Sequence, residues 1–388
     1  MTGAAADVIV VGGGIVGTAA AAFLAEAGLR VVLVEREGLA SGASGANSGV
    51  VQHPFDPVLA ALYRDTVILY RTLSSAGAGF RLLEEPAGML FVSSDEPAAR
   101  RQAAMIGASF PELQTQVVGG GELRRLEPAL GPDLWACRVD IGFPVIPAAS
   151  TYAYATLAEA RGTVVRLGRA AVLELAGDAV VGVRVDGQVL AAGAVLVAAG
   201  PSTPGLLDPT GRWAPIRPRW GVVVEAELAD PPRHVLEEAG IDAAIGVPDD
   251  VAGLPEARDT PDPSTHEVEF SLVPQAGASA VGSTFLEREP DPQAWIEPIL
   301  VRATRFVPGV ADAPIRGVRA CARPQSADGR PLIGRIPGRQ GLFVCAGHGP
   351  WGISTGPASA RLVADLILGR NPAIAPALDP RRWGVLGA

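Results

Sequence analysis

Val8-Ile9-Val10-Val11-Gly12-Gly13-Gly14-Ile15-Val16-Gly17 opens a run that continues through TAAAAFLAEAGLR to Arg30 and closes with Val31-Val32-Leu33-Val34-Glu35. The apolar run Val8–Val11 reads as a buried strand, and the Ala-rich segment after the glycines reads as a helix that stops at Gly28. Val31–Val34 reads as a second buried strand, closed by the acid Glu35. Strand, G-x-G-x-x-G turn, helix, strand and acid make up the βαβ unit that cradles a dinucleotide. Gly12 permits the tight turn, Gly14 lets the backbone approach a pyrophosphate, and Gly17 lets the helix pack closely on the strand. Ile15 and Val16 open the helix, whose unpaired N–H groups and positive dipole end face the phosphates. Glu35 lies 18 residues beyond Gly17, where an acid meets the ribose hydroxyls. An acid there suits FAD or NAD and disfavours NADP.

The bulk properties narrow the classes that remain. A chain of 388 residues has ample material for two domains or one large interrupted domain. A net charge of −9 argues against nucleic-acid and anionic-membrane partners, both of which want a basic face. The three cysteines (Cys137, Cys321, Cys345) form no CxxC pair and no metal-ligand spacing, so neither a disulfide scaffold nor a metal site is expected. Val8–Ala25 carries no charge and is long enough to score as a membrane span. Its central glycines and its fit to the βαβ unit explain it better. With no Lys or Arg ahead of Asp7 to start a secretory signal, the expectation is a soluble cytoplasmic protein.

After Glu35 and Arg36 comes a loop of small residues, Ser41-Gly42-Ala43-Ser44-Gly45-Ala46-Asn47-Ser48-Gly49. Residues 55–75 have apolar positions at helical spacing, Gly88–Ser93 reads as a strand, and Glu96–Gly107 and Glu122–Pro128 read as helices. Ala136–Pro147 alternates and then breaks on prolines, which suggests an edge strand followed by a crossing between domains. Ala148–Arg161 is helical, short strands follow from Thr163, and Gly193–Pro201 is a buried strand ending in Ala-Ala-Gly-Pro. Residues 212–314 form a mainly β unit with a Pro- and Asp-rich insertion over 229–264 and a helix over 291–307. The chain then returns to strand, glycine-rich turn and helix in GLFVCAGHGPWGISTGPASARLVADLILGR.

The G-x-G-x-x-G…E unit followed by "GASGANSG" resembles the D-amino-acid oxidase family of FAD enzymes, which includes glycine and sarcosine oxidases and D-amino-acid dehydrogenases. The resemblance implies an α/β fold: a Rossmann-type, glutathione-reductase-like FAD domain interrupted by a mainly antiparallel β substrate domain. Its expected boundaries are 1–85, 147–211 and 315–388 for the first, and 86–146 and 212–314 for the second. It implies FAD contacts at Ser44, Ala46, Asn47 and Ser48 and at the AAG strand end, Ala199 and Gly200. It implies a backbone contact to adenine at Val172. A second FAD element is implied in the C-terminal "GHGxxG", at Gly347, His348, Gly349, Gly352, Ile353 and Ser354. Oligomeric state stays open, a homo-oligomer included.

For the chemistry, the resemblance implies oxidation of an amino acid or amine by hydride transfer, with the imine hydrolysed by water. Such a site needs a cation for the substrate carboxylate, and arginine's planar fork suits it. Arg323, in Cys321-Ala322-Arg323-Pro324-Gln325-Ser326-Ala327-Asp328-Gly329, matches the family's "RP…D" arginine. Arg316 and Arg319 read as solvated or ion-paired. His348 in the glycine turn and His53 after the small-residue loop are further catalytic candidates, each also readable as a plain structural histidine. Cys321, seven residues before Asp328, has the spacing of the cysteine that attaches flavin covalently in monomeric sarcosine oxidases. Most relatives with the "RP" form bind FAD non-covalently, and that is the expectation here, with a covalent link to Cys321 as the alternative. No tyrosine lies beyond Tyr154, so Trp220, Phe270 and Trp351 are the expected pocket aromatics. The chain has no lysine to assist oxygen activation, so oxygen and a quinone or electron carrier both remain as acceptors. Alternatives are a 2-hydroxy-acid or polyol dehydrogenase, a nucleotide-binding module without catalysis, and an enzyme using NAD alone.

Overall fold

A computed structural model describes residues 6–241 and 268–384. The strand Ala6–Val11 pairs in parallel with Val31–Val34 on one side and with Gln188–Val197 on the other. Val164–Arg166 and Leu342–Ala346 extend the parallel set outward, and Leu332–Arg335 closes it antiparallel. Five parallel strands need both faces covered, which is why they read as continuous apolar runs. Val8 and Val10 face a helical layer built from Ile15–Glu26, Pro57–Ser75, Ala149–Ala160 and Gly352–Ile367. Ile9 and Val11 face the opposite layer, where the antiparallel strands Val172–Ala176 and Ala179–Val185 fold back from Gln188–Val197.

The helix Ile15–Glu26 is buried over all but its last residue, and its Ala19–Ala22 stretch lets neighbouring helices approach closely. A helix apolar on every side belongs in a protein core or a membrane. Here it lies under the sheet, which accounts for the uncharged run from Val8. No described helix is long and apolar enough to cross a membrane.

Among the described residues the second sheet has eight strands. In spatial order they are Ile315–Ser326, Ile216–Ala226, Ser279–Thr284, Val268–Val273, Val235–Glu238, Met89–Ser93, Trp135–Val139 and Gln116–Gly119. Every pairing is antiparallel except that of Val235–Glu238 with Met89–Ser93. One face packs under the helix Ile296–Thr304, where Arg302 pairs with buried Glu238. The other face packs on Val50, Phe55 and Ala60 from the first unit.

Two expectations need correction. The strand at Trp135–Val139 is paired on both sides, and the edge belongs to Gln116–Gly119. Ile315–Ser326, expected in the first unit, runs alongside Ile216–Ala226 through nearly its whole length. We therefore propose that the boundary between the units falls after Ser326. Of the expected insertion at 229–264, residues 242–264 lie outside the described residues.

Gly12 has φ +120°, and a Cβ there would stand 2.3 Å from the Ala198 carbonyl oxygen. A Cβ on Gly17 would stand 2.0 Å from the Gly12 carbonyl oxygen. Backbone cannot yield as a flexible side chain can, so overpacking here displaces the helix from the strand. Gly17→Ala is expected to destabilise the protein by about 2 kcal/mol or more. Urea denaturation checks this, and an unchanged midpoint would contradict the close packing.

Candidate active site

A cavity of about 890 Å³ opens at the carboxyl ends of the parallel strands and is lined from both sheets. Ligands bind open α/β sheets at this end, where successive strand-to-helix turns face one crevice. Val11–Val16 form its floor at the first turn. The Glu35 carboxylate is tied back to this turn, accepting hydrogen bonds from Gly13 N at 2.6 Å and Glu37 N at 2.9 Å. Arg36 beside it donates to the Ser202 hydroxyl at 3.2 Å.

The small-residue loop is held from three directions and is not slack. Ser44 Oγ accepts from Ile15 N at 3.0 Å, and Asn47 Nδ2 donates to the Ala43 and Ser44 carbonyls at 2.9 Å each. From the strand Ile315–Ser326 Arg319, ion-paired to Glu225, donates to the Asn47 carbonyl at 2.9 Å. Gln275 donates to the Ser48 carbonyl at 2.8 Å. Arg316 pairs with Glu227, so both arginines are ion-paired as their sequence suggests.

The C-terminal element supplies the other wall. Strand Leu342–Ala346 runs through Gly347 and Gly349, both at positive φ, into the helix Gly352–Ile367. Among the described residues no side chain caps this helix, and a Cβ on Gly352 would meet nothing within 4 Å. Ser354 Oγ accepts from Gln52 N at 3.0 Å, which ties the helix start to the first unit. His348 is 2% exposed, lines the cavity, and its Nε2 has no hydrogen-bond partner among the described residues. Burial pushes its pKa down to about 4.

Arg323 projects from Ile315–Ser326 across Gly221, where a Cβ would stand 2.3 Å from its Nη2. It donates to the Thr284 carbonyl at 2.8 Å and the Ser283 hydroxyl at 2.6 Å, and lies 4.6 Å from the centre of the Phe285 ring. No described acid pairs with it. Burial lowers its pKa from the usual arginine value, against a smaller opposing effect of Cys321. Cys321, also on the wall, has its thiol pKa raised by burial.

Most residues singled out in the sequence line this one cavity: Gly12, Gly14, Ile15, Val16, Glu35, Arg36, Ser44, Ala46, Asn47, Ser48, Ala199, Gly200, Cys321, Arg323, His348, Gly349, Gly352, Ile353 and Ser354. Gly17 and Gly347 do not line it; they shape the turns behind it. Val172 is 60% exposed and absent from the wall, where Ala170 and Ala171 stand instead. His53 is also absent from the wall: its ring packs against Tyr63 and Phe110, each with centroids 5.0 Å away. Phe270 is fully buried against Phe306 on the far face of the second sheet. Trp220 and Trp351 do line the cavity, joined by Phe285. Gln52, Glu237, Ser271 and Ser283 line it without having been singled out. Polar residues inside apolar strands were the signal available for them.

The walls fit a flavin dinucleotide. Bare glycine backbone faces the cavity at Gly12–Gly14, an uncapped helix start stands at Gly352, and an unpartnered imidazole nitrogen stands beside it. A protein-family model described as FAD dependent oxidoreductase matches residues 7–366. The chain belongs to this family. FAD is the cofactor of these oxidoreductases and of this enzyme. A glycine oxidase of Pseudomonas aeruginosa is 29% identical over 95% of this chain and 97% of its own length. One from Pseudomonas putida is 26% identical over 96% and 97%. Among solved structures, glycine oxidase from Geobacillus kaustophilus superposes with a TM-score of 0.80 at 24% identity, covering 97% of this chain and 98% of that one. An L-proline dehydrogenase from P. horikoshii gives 0.79 at 20% identity, over 98% and 99%. At these identities the two structures speak for the fold alone.

His53 and His348 generate a pH dependence. Burial is the largest cause at each and lowers both to about 4, below the unfolded value of about 6.5. The folded state therefore binds fewer protons between these values. Stability is complete above pH ~6.5 and falls as the pH drops toward 4, by on the order of 3 kcal/mol per histidine. Urea midpoints measured from pH 7 to 4.5 should fall, and His53→Phe should flatten the slope. An unchanged slope in that variant would remove His53 from the account.

Proposed function

We propose that this enzyme oxidises the C–N bond of an amino acid, or of a secondary amine bearing a carboxylate, to an imine that water then hydrolyses. Arg323 is the observation that carries this reading. A charge half withdrawn from water is costly unless paired, yet the described partners of this guanidinium are a carbonyl, a hydroxyl and an aromatic ring. A substrate carboxylate would supply the missing countercharge through two parallel hydrogen bonds.

Bound FAD supplies the hydride acceptor. What remains for the chain is placement. Arg323 fixes one end of the substrate, Ser283 and Thr284 fix the guanidinium, and Trp220 and Phe285 keep water from the reacting carbon. A neutral amine needs no base during the hydride step. A hydroxy acid does, and the one described imidazole on the cavity wall, His348, has its pKa pushed down to about 4, poorly matched to that task near neutral pH. This favours the amine. The relatives named glycine oxidase support an amino-acid substrate in the same sense. Burial raises the Cys321 thiol pKa and so opposes the thiolate that attachment would need, which supports non-covalent FAD.

The test is anaerobic. Acid precipitation of the yellow protein should leave the flavin in the supernatant, and candidate amino acids should bleach the intact enzyme without oxygen. Arg323→Met is expected to lower kcat/KM for bleaching by about 100-fold. Bleaching by the variant at wild-type efficiency would refute the role of Arg323.

A further inference from the structure

Arg219 and Arg323 stand directly opposite each other on the neighbouring strands Ile216–Ala226 and Ile315–Ser326. Residues paired in this way project on one face of the sheet, with Cβ atoms about 5 Å apart. That face looks onto the first unit. Arg319 reaches from it to the Ala46 and Asn47 carbonyls, and Gln325 packs over Gly349. Pro218, Trp220 and Gly221, the chain neighbours of Arg219, line the cavity, and Arg219 itself is half-exposed at the rim.

The two side chains cross the sheet in the same direction. The Arg323 guanidinium lies over Gly221 and ends at Ser283 and Thr284. Arg219, two residues from Gly221, extends toward Glu287, three residues beyond Thr284. Two residues of strand span about 7 Å, which sets the scale of the separation between the two cations. Like charges opposite each other across a strand pair oppose folding. Burial is the largest cause of the lowered Arg323 pKa, and repulsion from Arg219 acts in the same direction.

The acid that meets Arg219 among the described residues does little to neutralise it. Glu287 is 3.8 Å away, beyond hydrogen-bond length, and its side chain is 88% exposed. An exposed pair of this kind contributes little, and its carboxylate is readily returned to water. Glu289, which also lines the cavity, is exposed as well. Two guanidinium groups are therefore held side by side at the substrate end of the cavity without a buried countercharge among the described residues.

We propose that Arg219 receives a second carboxylate of a substrate whose first carboxylate is held by Arg323, so that the preferred substrates are amino dicarboxylic acids such as aspartate and glutamate. The inference rests on the amino-acid reading above and specifies its substrate class. A second carboxylate would take charge-assisted hydrogen bonds from the Arg219 fork and relieve the repulsion between the arginines. A neutral amide of the same shape satisfies neither demand, so the pair of cations discriminates between isosteric acid and amide.

The test compares glutamate with glutamine and aspartate with asparagine, in both enantiomers, by anaerobic reduction of the holoenzyme. The wild type should reduce faster with the acidic member of each pair, by about tenfold or more in kcat/KM. Arg219→Gln removes the charge at a half-exposed position and should bring that ratio close to one. Glutamine matching glutamate in the wild type would overturn the inference without any need for the variant. A ratio that survives Arg219→Gln would also overturn it. Both of those results leave the amino-acid reading standing, whereas failure of every amino acid to bleach the flavin would remove both.

Discussion

The contact of Gly17 with the Gly12 carbonyl fixes the distance between the first strand and its helix. Because no side chain intervenes, the helix Ile15–Glu26 starts directly over the carboxyl end of Ala6–Val11. Its first N–H groups are thereby aimed into the cavity. The other turns depend on that placement. Glu35 ties the end of the second strand to Gly13, Ser44 ties the small-residue loop to Ile15, and Gly356 packs against Ile15 and Val16 from the C-terminal helix. The cavity is what these backbone approaches leave open.

The second unit reaches the cavity through alternation along one strand. Arg319, Cys321 and Arg323 share a face of Ile315–Ser326, yet their partners differ. Arg319 is neutralised by Glu225 and spends its remaining donors on the loop carbonyls, which joins the two units. Arg323, four residues on, meets no described acid. One arginine secures the architecture, and the other supplies charge to the cavity.

Local patterns made much of this legible. The βαβ unit, the small-residue loop and the GHG turn are specified by backbone needs that only particular residues satisfy, so their positions could be read off directly. Strand neighbours could not. Trp135–Val139 looks like an edge strand because prolines follow it, but Gln116–Gly119 comes from earlier in the chain to cover it. Ile315–Ser326 abuts the returning nucleotide-binding sequence, yet it pairs with a strand about a hundred residues earlier. The same limit applies to side chains. His53 stands next to cavity-lining Gln52, but alternation turns it into an aromatic cluster. Phe270 is one residue from cavity-lining Ser271 and faces the other way. Glu237 had no motif to mark it, because its place depends on the order of five strands.

The central claim is that the half-buried Arg323 guanidinium is retained for a carboxylate brought from outside. The most direct test is a titration of the flavin absorption spectrum with benzoate, which cannot be oxidised here, alongside the neutral benzamide. The account predicts a saturable perturbation by benzoate, at least about tenfold tighter than any by benzamide and lost in Arg323→Met. Equal affinity for acid and amide, or benzoate binding undiminished in the variant, would contradict it.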